Sequence, residues 1–248
     1  MSRLDRALGL ARSLAIYRAI PFRARRLRRL YAQFVRPGDL VFDIGGHVGN
    51  RTRAFISLGC RVIILEPQPV FAQLLSRRFA RHPMVTVLEA AVSDAAGRAQ
   101  LAISDRTPTV STMAASWRQA RANDEGFSSV RWNRSIEVET TTLDRLIDRY
   151  GTPAFIKIDV EGEEPQVLTG LSRPIPGLSF EYLPGDLDRA WQCVERLERL
   201  ARYRFNWSVG ETSRLSSKEW IAGEQLISML DASEMPRRSG DAFARLEE

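Results

Sequence analysis

From Leu40 onward the sequence alternates short apolar runs with longer stretches whose apolar residues recur at helical spacing. Residues 40–44, 61–65, 85–90, 154–158 and 178–182 are short, mostly apolar runs of strand length, the most continuous being 61–65. Residues 50–58, 70–80, 142–150, 162–171 and 187–201 carry the helical period. That alternation predicts an α/β fold in which a parallel sheet is covered by helices on both faces. Residues 97–103 and 136–140 add strand-like segments, and 203–207 a late strand suited to a sheet edge. Between them, residues 104–134 are polar, with Pro108, Gly126 and paired serines, and read as a functional loop or lid.

Upstream, Leu4, Leu8, Ala11, Leu14 and Tyr17 fall at helical spacing up to Pro21, and Leu27, Leu30, Tyr31 and Phe34 do so up to the turn at Pro37-Gly38. The division expected is a basic helical extension over 1–36, a catalytic domain over 37–230, and a peripheral tail over 231–248. Both N-terminal helices are expected to pack on the main domain. Their arginines could instead touch a membrane surface or an acidic carrier through residues 3–29.

Composition narrows the function classes. With 248 residues, 44% of them hydrophobic, the chain can bury one substantial core. Cys60 and Cys193 stand far apart without metal-ligand spacing, which suggests neither a disulfide framework nor a zinc site and fits a reducing cytoplasm. No apolar run reaches the roughly 18 residues of a membrane span. The net charge of +6 invites a nucleic-acid reading, but ten arginines against Asp5 alone lie in residues 1–36, leaving a slightly acidic catalytic body. No nucleic-acid partner is therefore expected.

The chemistry begins after the first strand, where Asp43-Ile44-Gly45-Gly46-His47-Val48-Gly49 forms a glycine-rich strand-to-helix turn. Gly45, Gly46 and Gly49 allow a sharp turn and a close approach of backbone to ligand. Such turns are common, and two carboxylates give this one its meaning. Asp43 precedes the glycines where a dinucleotide pyrophosphate would approach the helix N-terminus, and would repel it. A ligand with an ammonium group and a positive sulfur would be attracted. Glu66 ends the second strand, where it can accept hydrogen bonds from both ribose hydroxyls and would reject a phosphorylated ribose.

The successive motifs VFDIGGHVG, ILEPQP, AVSD, STM, TTTLD and IKIDVEGEEPQVLTG resemble those of the FkbM-type methyltransferase family over about residues 39–182. The resemblance implies a class I, Rossmann-like methyltransferase fold with a seven-stranded, mostly parallel sheet. It also implies S-adenosyl-L-methionine as cofactor and methylation of a hydroxyl on a sugar, polyketide or other small-molecule acceptor. His47 departs from the small residue common at that position in the family. The alternatives are an NAD-dependent oxidoreductase or epimerase, which lacks its GxGxxG spacing here, and a non-enzymatic nucleic-acid or membrane module acting through the arginine-rich leader.

Further site residues follow from position. Ser93 and Asp94, after the third strand, could receive the adenine amine or merely form a turn. Asp159 ends a strand at the crevice, Glu161 follows it, and either could act as general base, as could His47. Lys157, two residues before Asp159, shares its face and could pair with it. Glu163 and Glu164 are attributed to the dipole of the following helix. Glu181 is a weaker candidate of the same kind as Asp159. The residue types of Asp159, Glu161 and Glu181 permit magnesium, but no spacing demands it, and no metal is assigned. Ser111-Thr112-Met113 would line the acceptor pocket from the lid.

Overall fold

The computed structural model describes residues 23–121, 124, 127–232 and 238–247. The leader helix expected over 3–20 lies outside them. Its elements are helix α1 (Arg23–Tyr31), strand β1 (Leu40–Ile44), α2 (Asn50–Ser57), β2 (Arg61–Leu65), α3 (Pro69–Phe79), β3 (Val85–Leu88), β4 (Ala91–Val92) and β5 (Gly97–Ile103). They continue with α4 (Ala115–Arg121), β6 (Arg134–Thr141), α5 (Leu143–Tyr150), β7 (Phe155–Ile158), α6 (Glu164–Thr169), β8 (Gly177–Tyr182), α7 (Leu187–Leu200), β9 (Tyr203–Val209), α8 (Gly223–Asp231) and β10 (Gly240–Leu246).

Seven strands form one sheet in the order β3-β2-β1-β7-β8-β10-β9. The first five are mutually parallel, and β10 runs antiparallel to both β8 and β9. This is the class I methyltransferase architecture. The inner strands read as mostly apolar runs, interrupted by Asp43 in β1 and Lys157 in β7, because both faces are covered: β1 and β7 are buried at every position. On one face α1, α2 and α3 pack over Val41, Ile64, Phe155 and Phe243, with Tyr31 wedged against Phe55 at a ring separation of 4.2 Å. On the other, α5, α6, α7 and α8 cover Phe42, Ile63, Ile156, Leu178 and Phe205. No described helix is long and apolar enough to cross a membrane.

Two expectations change. The strand expected over 85–90 ends at Leu88, and Ala91–Val92 leaves the main sheet to pair with Thr140 and Thr141 in a smaller sheet of order β4-β6-β5. That sheet carries the 104–134 loop, which contains the helix α4. The segment read as a peripheral tail instead supplies β10, inserted between β8 and β9, with Ala242, Phe243 and Ala244 fully buried. Its apolar run is three residues long and uses two alanines, too little hydrophobicity to stand out in sequence, yet small side chains are what an interior strand under α7 and α8 can accommodate. The main sheet thus extends through Leu246.

Chain order reverses between β1 and β7. From β1 the chain runs outward through β2 to β3, and from β7 the other way through β8, so a crevice opens beyond their C-terminal ends.

Candidate active site

The crevice is lined by the turn after β1, the Glu66-Pro67-Gln68 corner after β2, Ala90 to Val92, the 108–113 loop and residues 159–161 after β7. The fold brings Asp43, Gly45, Gly46, His47, Glu66, Asp159 and Glu161 together there. Gly49, Ser93 and Asp94 are not among the lining residues. Asp94 is exposed and accepts a hydrogen bond from the Ser93 hydroxyl at 3.2 Å, while Gly49 turns toward α3, where a Cβ would lie 2.9 Å from Leu75 and Phe79.

The glycines have packing reasons of their own. At Gly45, with φ +82°, an added Cβ would fall 1.9 Å from the carbonyl oxygen of Asp159; at Gly46 it would meet the Ile64 side chain at 2.2 Å. Gly45 and Gly46 both donate their N–H to the Leu65 carbonyl, and Asp159 donates its N–H to the Ile44 carbonyl at 3.0 Å. These contacts fix the turn against β2 and the end of β7, so the close approach sets the spacing between Asp43 and Asp159.

Asp43 is buried and accepts a hydrogen bond from the Thr52 hydroxyl of α2. Burial pushes its carboxyl upward, with Thr52, Arg51 and Lys157 opposing. Glu66 is 3% exposed, and burial raises it to about 7 even though its two oxygens accept the N–H groups of His47 at 2.8 Å and Gln68 at 2.9 Å. His47 adopts φ +45°, and its ring lies 4.3 Å from that of Phe71. Burial lowers it to about 4, so at neutral pH the imidazole is uncharged.

Behind the turn sits a charge network. Lys157, fully buried, places Nζ 3.0 Å from Asp241 and 3.6 Å from Asp159, and donates to the Ile158 carbonyl at 2.7 Å. Arg51 of α2 reaches Asp159 at 3.3 Å and Asp241 at 3.8 Å. Burial alone would raise Asp159, but Lys157 and Arg51 outweigh it and hold the carboxyl below its ordinary value. Glu161 and Glu181 form no ion pair among the described residues, and the more distant Lys157 opposes their upward shift only in part. Burial and neighbouring carboxylates, Glu181 and Asp159 for the first and Asp159 and Glu164 for the second, lift both well above the usual range. Carboxylate oxygens of Asp159, Glu161 and Glu181 come within 4.8 Å of one another. Such a trio can share a proton or, by its oxygen donors alone, accept a hard cation.

The loop bearing Glu161 is shaped by a residue whose sequence position suggested only a dipole effect. Glu164 is buried, and its carboxylate accepts the N–H groups of Val160 at 3.1 Å and Gly162 at 3.0 Å, holding Glu161 at φ +54°. From the lid side, the Thr112 hydroxyl donates to the Glu161 carbonyl at 2.7 Å. Gln68 donates to the Pro108 carbonyl and accepts from the Ser111 hydroxyl. Ser111 and Met113 accordingly line the crevice, with the 108–113 loop tied down over the Glu66 corner. Sequence reasoning missed Arg51 and Asp241. Arg51 stands in the first turn of α2 directly after the glycines, a position that could have flagged it; nothing local marks Asp241.

A family model, the methyltransferase FkbM domain, matches residues 43–205, from the acid that opens the glycine turn to the middle of β9. This chain belongs to that family. It is therefore an S-adenosylmethionine-dependent methyltransferase. No curated protein matches it in sequence. Among solved structures, precorrin-6y C5,15-methyltransferase from Geobacter metallireducens is 13% identical, aligned over 91% of this chain and 86% of that one with a TM-score of 0.45. An O-methyltransferase from Bacillus cereus in complex with SAH is 16% identical, aligned over 96% and 90% with a TM-score of 0.42.

The residues present fit the donor. Two buried carboxylates, Asp43 and Glu66, line a crevice suited to a cationic, phosphate-free nucleoside. Beside them the Asn50 amide nitrogen is buried and has no hydrogen-bond partner among the described residues, leaving a donor for a carboxylate such as that of the methionine moiety.

Proposed function

We propose that this methyltransferase methylates a hydroxyl oxygen of a sugar, polyketide or other small-molecule acceptor, and that Glu161 removes the hydroxyl proton. The observation that carries this reading is the split among three converging carboxylates: Asp159 is held ionised by Lys157 and Arg51, whereas Glu161 and Glu181 are pushed upward. Neighbouring acids driven apart in this way are suited to complementary proton-transfer and orienting roles. A group with a raised pKa is the better proton acceptor near neutral pH, which favours Glu161 over Asp159. His47, uncharged and weakly basic, is suited to orienting a ligand.

When bound, the donor supplies an electrophilic methyl on its sulfonium. The chain's own residues hold and orient. Glu66 would accept from the ribose hydroxyls, Asp43 and Asn50 would hold the methionine moiety beside the glycine turn, and Asp159 would hydrogen-bond the acceptor while Glu161 took its proton. The products of such a transfer would be a methyl ether and S-adenosylhomocysteine, with the hydroxyl proton on Glu161. An acid-rich transfer site disfavours acceptors with an anion beside the reacting oxygen, which supports neutral polyols. Two free, buried cysteines suit a reducing compartment, and we assign the protein to the cytoplasm.

The test is a labelled-methyl screen over sugars, macrolide alcohols and amines. Label in alkali-stable methyl ethers, lost in Glu161→Gln, is the expected result; label confined to amines, or undiminished in that variant, contradicts the proposal.

A further inference from the structure

The two helical layers of the sheet carry opposite charge. Helices α1, α2 and α3, which cover one face, contain nine arginines and no acidic residue. Helices α5, α6, α7 and α8, on the other, contain eight acids and five arginines. Three of the nine arginines are committed: Arg23 pairs with Glu211, Arg51 with the network at Asp159, and Arg78 donates to the Val48 carbonyl. Arg25, Arg26, Arg28, Arg29, Arg53 and Arg77 are exposed, and none forms an ion pair with a described carboxylate. Helix formation asks nothing of this kind, since like charges at these spacings oppose one another.

The face is focused by a cleft of about 480 Å³ between α1 and the loop after β9. Arg26 and Arg29 line one side, and Arg214 with the hydroxyl-bearing residues Thr212, Ser213 and Ser216 the other. Guanidinium and hydroxyl donors, with no acid among the lining residues, match a phosphate monoanion or diester.

We propose that this face docks on an anionic phospholipid bilayer, with lipid phosphates entering the Arg26–Arg29–Arg214 cleft. Charge complementarity carries the proposal, and what the face lacks selects the partner. Tyr31, Phe55, Phe71 and Phe79, the aromatic residues of its three helices, are buried, so these helices offer no exposed ring on which nucleic-acid bases could stack. Val70 is the one large apolar residue of those helices that is exposed, too little for the apolar anchor of a protein interface. A fluid lipid surface requires neither. The sequence ahead of Arg23 sets Leu4, Leu8, Ala11 and Leu14 at helical spacing among Arg3, Arg6, Arg12 and Arg18, the pattern that supplies an interfacial helix with its apolar component.

The experiment is co-sedimentation of the full chain with vesicles of phosphatidylcholine alone or with about 30% phosphatidylglycerol, at low and moderate salt. Wild type is expected to pellet with the anionic vesicles only, and less as salt rises. The variant Arg26→Glu/Arg29→Glu/Arg214→Glu should lose about a hundredfold in partitioning, taking roughly fivefold per arginine, with S-adenosylhomocysteine binding unchanged. Arg26→Gln/Arg29→Gln, milder toward folding, should show an intermediate loss. Equal binding to neutral vesicles, no binding to anionic ones, full binding by either variant, or capture of duplex RNA in preference to anionic vesicles would each overturn the proposal.

Discussion

Lys157 and Asp241 meet at 3.0 Å in the interior, joining the end of β7 to a strand that the chain adds last. The ammonium is fully buried, and its raised pKa reflects Asp159 and Asp241 outweighing the cost of burial. Because β10 lies one strand further along the sheet than β8, this bond crosses β8 beside Asp159 at the mouth of the crevice. It couples completion of the fold to the charge state of Asp159.

Removing Asp241 leaves Lys157 and Arg51 to share Asp159 alone. Asp241→Ala is expected to destabilise the protein by about 3 kcal/mol, the usual scale for breaking a buried ion pair on one side. Asp241→Ala combined with Lys157→Met should recover most of that loss. Urea unfolding followed by far-ultraviolet dichroism measures both, and a double variant no more stable than the single one would contradict the network.

Gly45→Ala tests the turn. The new methyl would sit 1.9 Å from the Asp159 carbonyl oxygen at a φ of +82°, so the turn and β7 must separate. A loss of about 3 kcal/mol or more is expected, in the range of severe steric substitutions. Gly49→Ala meets only side chains, at 2.9 Å and beyond, and should cost less despite its positive φ. Thermal melts of the two variants compare them directly.

Glu161→Gln keeps the shape of the loop and removes the proton acceptor. The expected result is a fall in kcat of about 10² to 10⁴ with KM little changed, in keeping with loss of a general base. In wild type the rate should rise with pH as Glu161 ionises, above the normal carboxylate range because its pKa is raised, and the variant should lose that limb. A pH–rate profile with and without the substitution reads this out.

How far the sequence reveals these relationships depends on whether their causes are local. β1 and β2 are legible because two-sided burial demands mostly apolar runs, and the Lys157–Asp159 pair because strand side chains alternate. The glycine turn is legible as a turn, though its close contact at Gly45 is with Asp159, which a linear reading has no means to show. β10 is hidden by its two alanines, and Asp241 by an environment that only the finished sheet creates. Glu164 looks like a helix-end acid until the 160–162 backbone folds over its carboxylate.

The account rests most heavily on Glu66 as the ribose acceptor of a phosphate-free nucleoside, and calorimetric titration with S-adenosylhomocysteine against pH examines it most directly. Without ligand Glu66 titrates at about 7, and ribose donors favour its ionised form. Affinity should therefore be level above pH 7 and weaken by up to about tenfold per unit below it, while Glu66→Ala binds at least about tenfold more weakly and loses that slope. Binding indifferent to pH and to the substitution, or binding of NAD in place of S-adenosylhomocysteine, would contradict it.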